Sequence, residues 1–282
     1  MIKLGGNWGT TNLSVFSLEG GDAMRGPKMG KGVSKLTRDE MVPALKELMG
    51  DEIQILLCGM VGSTIGVREV PYVPAPAGLG EIAAKVKWIE EGGLTIGIVP
   101  GVSCAHDGIG PDVMRGEETE ILGALAQGHH GGTLCLPGTH TKWVEVEDGK
   151  ITRFQTALTG ELFDLLTQHS VLVRGTGPLI DGPFLEGVED GKASLLHQLF
   201  KTRARQLIEG LGEDEARSYL SGLIIGHDIT HAPKRGPITL IGSDEMVAAY
   251  GLACGALDIE MTAMSSLEAS RAGLKAIAEE IA

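Results

Sequence analysis

Two short loops carry residue types suited to gripping phosphate: Gly9-Thr10 near the start of the chain and Gly138-Thr139 near its middle. A Gly-Thr loop that follows a buried strand offers backbone N–H groups and a hydroxyl with little side-chain bulk, the makings of an anion nest. One such loop in each of two halves points to a polyphosphate held between them, with ordinary glycine turns as the competing reading. Other phosphate patterns are absent. No Gly-x-x-x-x-Gly-Lys-Ser/Thr occurs, because Gly21 to Gly26 is followed by Pro27, and no strand-borne G-x-G-x-x-G opens a helix.

The segment Met114-Arg115-Gly116-Glu117-Glu118-Thr119-Glu120 sets one cation beside three carboxylates where a helix is expected to begin. Carboxylates suit that end of the helix dipole, so capping is one reading. The chemical reading has one glutamate accept a proton from a hydroxyl or help hold Mg²⁺, and Arg115 grip an anionic substrate. For the carboxylate of a sugar acid, arginine's planar fork is the natural partner. His140 and Lys142 lie in the second Gly-Thr loop, where a donor stabilises charge on a transferring phosphoryl group. Cys58-Gly59-Met60-Val61-Gly62-Ser63 leaves a buried strand into a tight turn, either as the wall of a small-substrate site or as a plain strand end. Ile241-Gly242-Ser243 also ends a strand, a place for a base or ribose. His227 and His231 stand at i, i+4 on a helix, but no third ligand accompanies them and no metal site is expected there.

Charge narrows the partners. Lys+Arg 24 against Asp+Glu 37 gives a net charge of −13, the wrong sign for a nucleic-acid face. No apolar run reaches the ~18 residues of a membrane span, and the N-terminus meets the Gly5-Gly6 pair before a signal-type apolar core forms. A cytoplasmic protein with neither a nucleic-acid nor a membrane partner is expected. The 42 glycines are about twice the ordinary ~7% share and follow no period of three, so they read as turn residues between many short elements. Cys58, Cys104, Cys135 and Cys254 form no C-x-x-C pair and read as small buried apolar residues. The length of 282 residues suits about two domains.

The elements that must position these residues alternate. Ile53 to Cys58, Leu94 to Val99, Thr133 to Leu136 and Ile238 to Ile241 read as buried strands. Helical patterns cover Thr37 to Met49, Glu117 to Leu125, Leu158 to Ser170, Leu195 to Leu211, Glu213 to Ala232 and Met261 to Ile281. Thr37 and Glu40 have the spacing of a capping box, and Pro71 to Pro76 reads as an extended connector. Strands alternating with helices define an α/β class. Laying Gly9 over Gly138 also superposes Val15 on Val144 and Glu19-Gly20 on Asp148-Gly149. Each copy reads as strand, Gly-Thr loop, second strand and acidic-Gly turn, a hairpin signal, which predicts a duplicated chain.

These blocks together resemble the 2-dehydro-3-deoxygalactonokinases, members of the sugar-kinase, Hsp70 and actin superfamily. The resemblance begins at Trp8-Gly9-Thr10-Thr11-Asn12 and includes Gly32 to Leu36, Gly59 to Ser63, Val99-Pro100-Gly101 and Val113 to Thr119. It continues through Pro137 to Trp143, Leu158 to Glu161 and Ser221 to Gly226. It implies two ribonuclease-H-like domains, of the actin-like ATPase fold, flanking a nucleotide cleft: 1–112 on the sugar-acid side and 113–282 on the nucleotide side. It implies transfer of the ATP γ-phosphate, with Mg²⁺, to the 6-hydroxyl of 2-dehydro-3-deoxy-D-galactonate. Gly9, Thr10, Thr11, Gly138, Thr139 and His140 then fall on the phosphates, and Gly242 and Ser243 near adenosine. Asn12, Gly62, Ser63, Arg115 and Lys142 fall on the substrate, and Glu117 or Glu118 is the base. The family's first loop ordinarily reads Asp-Trp-Gly, with that aspartate and a glutamate such as Glu118 toward Mg²⁺; here Asn7 stands in its place. Either other carboxylates compensate, or the protein is a slow kinase, or it is a binding protein without turnover. A kinase for another sugar acid is a further alternative. A homodimer is the candidate assembly, with the oligomeric state open.

Overall fold

Apolar strands followed by amphipathic helices build one sheet pattern twice. The structure, a computed structural model, describes residues 2–19, 26–106, 110–129, 132–234 and 236–282. The first run is β1 (Leu4–Trp8), β2 (Asn12–Ser17), β3 (Lys28–Lys31), α1 (Arg38–Met49), β4 (Gln54–Gly59), β5 (Val73–Pro74), α2 (Leu79–Ala83), β6 (Lys87–Glu91), β7 (Leu94–Ile98), β8 (Val102–His106), β9 (Gly110–Met114) and α3 (Glu117–Ala126). The second is β10 (Gly132–Leu136), β11 (Thr141–Glu147), β12 (Lys150–Ala157), α4 (Thr159–His169), α5 (Asp181–Asp190), α6 (Leu195–Ile208), α7 (Glu213–His231), β13 (Ile238–Gly242), α8 (Asp244–Ala256), β14 (Met261–Ser265) and α9 (Ser266–Glu280).

The first sheet has the order β3-β2-β1-β4-β7-β6 and the second β12-β11-β10-β13-β14. Each therefore sets three consecutive strands side by side, then places the fourth and fifth beyond the first. β6 adds an edge to the first sheet through its antiparallel pairing with β7. β1 runs antiparallel to β2 and parallel to β4, with Asn7 opposite Cys58 and Trp8 opposite Gly59; β10 is likewise parallel to β13. The predicted duplication is thus present in the strand order. The Asp148-Gly149 turn has the positive φ values (50° and 74°) that its sequence anticipated. The matching Gly20 lies outside the described residues.

Two compact units result: Met1–Gly131, Val144–Phe154 and Met264–Ala282 form one, Gly132–Trp143 and Gln155–Ala263 the other. The units therefore interleave along the chain, whereas the sequence suggested one boundary after residue 112. In the first, Trp8, Leu13, Leu45, Ile55, Leu57 and Ile96 form a core between the sheet and α1, whose Thr37–Glu40 capping box is made. In the second, Cys135, Trp143, Phe184, Ile229, Leu240 and Tyr250 form the core. All four cysteines are buried free thiols.

One expected helix is corrected. Met261 to Ser265 is the edge strand β14, and the helix starts only at Ser266. Ile238 N–H donates to the Glu260 carbonyl at 3.0 Å, and the Thr239 and Thr262 hydroxyls lie 3.3 Å apart. Pairing at the sheet edge overrides the helical preference of Met and Ala. Helices α5 and α8 and the small β5-β8-β9 sheet were not anticipated. Among the described residues no helix is long and apolar enough to cross a membrane.

Candidate active site

In the first unit the site residues gather where parallel strands β1 and β4 end, the usual place for ligands in α/β sheets. After β1 the chain turns through Gly9-Thr10-Thr11. The Gly9 carbonyl accepts from Val33 N–H (3.1 Å), the Thr10 carbonyl from Ser34 N–H (3.1 Å) and Ser34 Oγ (2.7 Å), and the Thr11 carbonyl from Gly32 N–H (3.0 Å). With its carbonyls occupied, the loop presents exposed Thr10, Thr11 and Asn12. The Thr10 and Thr11 amides have no acceptor among the described residues, so the loop has the polarity an anion requires.

After β4 a tight turn carries Gly62 and Ser63. The Ser63 hydroxyl bends back onto the Met60 carbonyl (2.7 Å). Gly62 backs onto Arg115: a Cβ there would lie 2.8 Å from Nη1. Arg115 is held by one bond, Nη2 to the Val70 carbonyl (2.7 Å), and by stacking on Tyr72 at 4.3 Å. Its Nε and Nη1 are buried without an acceptor among the described residues. Each such donor costs about 1–3 kcal/mol until an acceptor arrives.

Helix α3 places the three glutamates differently. Glu117 Oε2 accepts from the Arg115 backbone N–H at 3.0 Å and remains half-exposed. Glu118 is fully buried; Gly116 N–H donates to one oxygen (2.7 Å) and the Thr119 hydroxyl to the other (3.0 Å). Burial, then the Glu117 charge, pushes its pKa up to about 8. Both of its oxygens are engaged, so Glu118 braces the turn into α3 from within. Its charge, after burial, also raises the neighbouring Cys58 thiol well above the ordinary range.

Sequence reasoning passed over the third, Glu120. It accepts from Ser266 Oγ (2.7 Å), Ser270 Oγ (3.3 Å) and Asn7 Nδ2 (3.4 Å); Asn7 Nδ2 also reaches Ser270 Oγ at 3.1 Å. Burial first of all lifts Glu120 to about 8. The cluster exists because α9 lies against α3 at Gly123 and Gly273, where a Cβ would overlap the carbonyl oxygens of Ala269 and Thr119. The available signal was Glu120's position one turn after Glu117, together with Ser266 and Ser270 at i, i+4.

In the second unit the Pro137-Gly138-Thr139-His140 loop leaves β10 and is braced by α4. Glu161 N–H donates to the Thr139 carbonyl (2.9 Å), His140 pairs with the Glu161 carboxylate, and a Cβ on Gly160 would overlap the Gly138 carbonyl. Thr139 and His140 are exposed. Lys142 is buried on β11 with Nζ on Thr156 Oγ1 at 2.8 Å. Beneath the loop, Asp228 accepts from Trp143 Nε1 (2.8 Å), Tyr250 OH (2.7 Å) and Thr159 Oγ1 (3.2 Å). Burial raises its pKa in spite of these donors. Beside the loop lies a cavity of about 490 Å³, walled by Gly138, Gly160, Phe163, Pro178, Glu245 and Tyr250 among others. Ser243 caps α8 through Met246 N–H (3.4 Å), next to Glu245 in that wall. The rings of His227 and His231 stack at 4.0 Å with Nδ1 atoms on carbonyls. Among the described residues no group of three His, Cys, Asp or Glu could hold a metal. For Mg²⁺, a cation that takes oxygen ligands and keeps several waters, Asn7 offers only its carbonyl oxygen.

A twice-used strand order, each copy with a Gly-Thr loop after its central strand, defines an actin-like ATPase fold. Component A of the (R)-2-hydroxyglutaryl-CoA dehydratase of Acidaminococcus fermentans shares that fold, with a TM-score of 0.54 at 13% identity over 100% of both chains. The model of the 2-keto-3-deoxy-galactonokinase family matches residues 7–277, and the chain belongs to that family. It is 32% identical to the 2-dehydro-3-deoxygalactonokinase of Escherichia coli strain K12, over 98% of this chain and 97% of the relative. A crystal structure of a candidate 2-dehydro-3-deoxygalactonokinase from Sinorhizobium meliloti superposes with a TM-score of 0.90 at 31% identity, covering 99% of this chain and 96% of that one.

Proposed function

We propose that this carbohydrate kinase transfers the γ-phosphoryl group of ATP to the 6-hydroxyl of 2-dehydro-3-deoxy-D-galactonate. Family membership sets the reaction class, and one observation carries the acceptor's chemistry: Arg115 keeps two buried donors without acceptors beside the half-exposed Glu117. Arg115 binds the sugar-acid carboxylate, with Asn12, Gly62 and Ser63 lining the sugar. Glu117 orients the attacking hydroxyl and takes its proton. Gly9-Thr10-Thr11 and Gly138-Thr139-His140 supply N–H and hydroxyl donors to phosphate oxygens, and the cavity of the second unit takes the adenosine, with Gly242 and Ser243 at its margin. Lys142 supports the second loop from β11. Mg²⁺ would neutralise charge on the polyphosphate, and Asn7 Oδ1 would offer a protein oxygen to it or to its water shell. Positioning and electrostatics dominate such transfers, so the protein contributes geometry rather than covalent chemistry.

An ADP-release assay with ATP, Mg²⁺ and a panel of keto-deoxy sugar acids tests the reading. Turnover is expected to be highest on 2-dehydro-3-deoxy-D-galactonate, with ³¹P NMR showing the 6-phosphate. Absence of turnover on every acid refutes it. The neutral Asn7 favours a second reading, a sugar-acid-binding protein without turnover, which calorimetric binding in the absence of ADP release would establish.

A further inference from the structure

Helix α6 leaves a stripe of large apolar side chains in water. Leu196 is 81% exposed, Phe200 63%, Leu207 66% and Ile208 84%, while its other face packs Leu195 and Leu199 onto the α7 core around Leu220. Single exposed leucines are ordinary, but a continuous helical stripe marks an interaction surface. Charge on the helix is disposed unevenly. Lys201 is tied to Asp190 (2.6 Å), and Arg205 to Glu186 (2.7 Å) and Glu209 (2.8 Å). Arg203, within the stripe, takes part in none of the ion pairs of this helix among the described residues.

The spacing identifies the occupant. Leu196, Phe200, Arg203 and Leu207 follow one another at intervals of four, three and four residues, the a/d seam of a helix pair. That interval pattern reads the same in both directions. An antiparallel two-fold through its midpoint brings Leu196 onto Leu207 of a second copy and Phe200 onto Arg203 of that copy. The guanidinium then lies over an aromatic face, and the surface is complementary to itself, as an isologous interface must be. We propose that α6 is the dimerisation helix of this protein, docking antiparallel on α6 of a second copy. The three apolar side chains of the seam, Leu196, Phe200 and Leu207, amount to on the order of 400 Å² per copy, about 800 Å² in the pair, the size of a weak, transient interface. A micromolar dimer is expected. Nothing in the proposal depends on the kinase reaction.

Sedimentation velocity on the full chain from about 1 to 200 μM, a range set by that affinity, is expected to show a concentration-dependent dimer. Phe200→Ala is expected to raise the dimer Kd at least about thirtyfold, the effect of removing a central aromatic anchor, and Leu196→Asp to abolish the dimer; both substitutions are at exposed positions and leave the circular dichroism spectrum unchanged. Register is read by cysteine crosslinking, with the native thiols buried. Mixed Leu196→Cys and Leu207→Cys proteins are expected to form a disulfide-linked heterodimer under mild oxidation. Leu196→Cys alone is not, because its two copies would lie about three helical turns, ~16 Å, apart along the seam. A native protein that stays monomeric through the range, a dimer unaffected by Leu196→Asp, or crosslinking of Leu196→Cys to itself each overturns the proposal.

Discussion

Replacing Asn7 with the family's aspartate is expected to harm this protein. Asn7 Nδ2 sits 3.4 Å from Glu120 Oε1 and 3.1 Å from Ser270 Oγ, so Asn7→Asp turns a donor into an acceptor facing a buried carboxyl. Two full charges 3.4 Å apart at an effective dielectric constant of 20 repel by about 5 kcal/mol, and such pairs respond by holding one proton. Glu120, at about 8, is already protonated in acid. At pH 5.5 its hydroxyl can donate to the new carboxylate, and the variant loses only about 1 kcal/mol, the worth of one hydrogen bond. At pH 8.5 the pair avoids that repulsion by retaining a proton that the parent's Glu120, at about 8, largely releases, and roughly 2 kcal/mol is lost. Urea denaturation at the two pH values measures both figures. Adding Glu120→Gln to Asn7→Asp restores a donor–acceptor pair with the roles exchanged, and is expected to recover most of the loss at pH 8.5. An Asn7→Asp protein as stable as the parent at pH 8.5, or no recovery in the double variant, would refute this account of the pair.

Arg115→Ala is expected to raise the sugar-acid KM by about thirtyfold or more, as removal of a charged hydrogen bond predicts, while the ATP KM stays within about twofold by the additivity of separate sites; steady-state kinetics with each substrate varied decides it. Glu118 and Glu120 both have native pKa values of about 8 against 4.5. The stability they contribute is therefore complete below 4.5 and is lost as pH rises through 8, by up to about 1.4 kcal/mol per pH unit per group. Glu118→Gln is expected to flatten that slope in a series of urea melts from pH 5 to 9. Gly273→Ala, whose Cβ overlaps the Thr119 carbonyl, is expected to cost about 2–4 kcal/mol because backbone cannot yield. Gly255→Ala in α8, where a Cβ meets nothing, is expected to be neutral or stabilising by about 0.5–1 kcal/mol; thermal melts compare the two.

Local signals located what local physics controls. Thr37 and Glu40 close a capping box because a helix start needs only residues within one turn. Asp148-Gly149 makes its turn because both residues tolerate positive φ. The apolar runs became central strands because a strand buried on both faces has little choice of residue. Met261 to Ser265 misled because Met and Ala suit a helix, and only an adjacent β13 with open hydrogen-bonding groups makes a strand of them. Exposed α6 residues scattered through its apolar run gave no sign in sequence of which face would find a core.

The amino-acid sequence by itself determined the α/β class, the duplicated hairpin with its Gly-Thr loops, the clustering of Arg115 with glutamates and the family. All of these are patterns within reach of a few residues, or blocks in a set order. Only tertiary structure decided the surroundings of each glutamate inside that cluster. Glu117 stays half-exposed, Glu118 is buried beside Cys58, and Glu120 meets Asn7 and two serines of α9. Three carboxylates within four positions look alike in sequence; desolvation and the identity of distant hydrogen-bond partners distinguish them, and both depend on where the rest of the chain comes to lie.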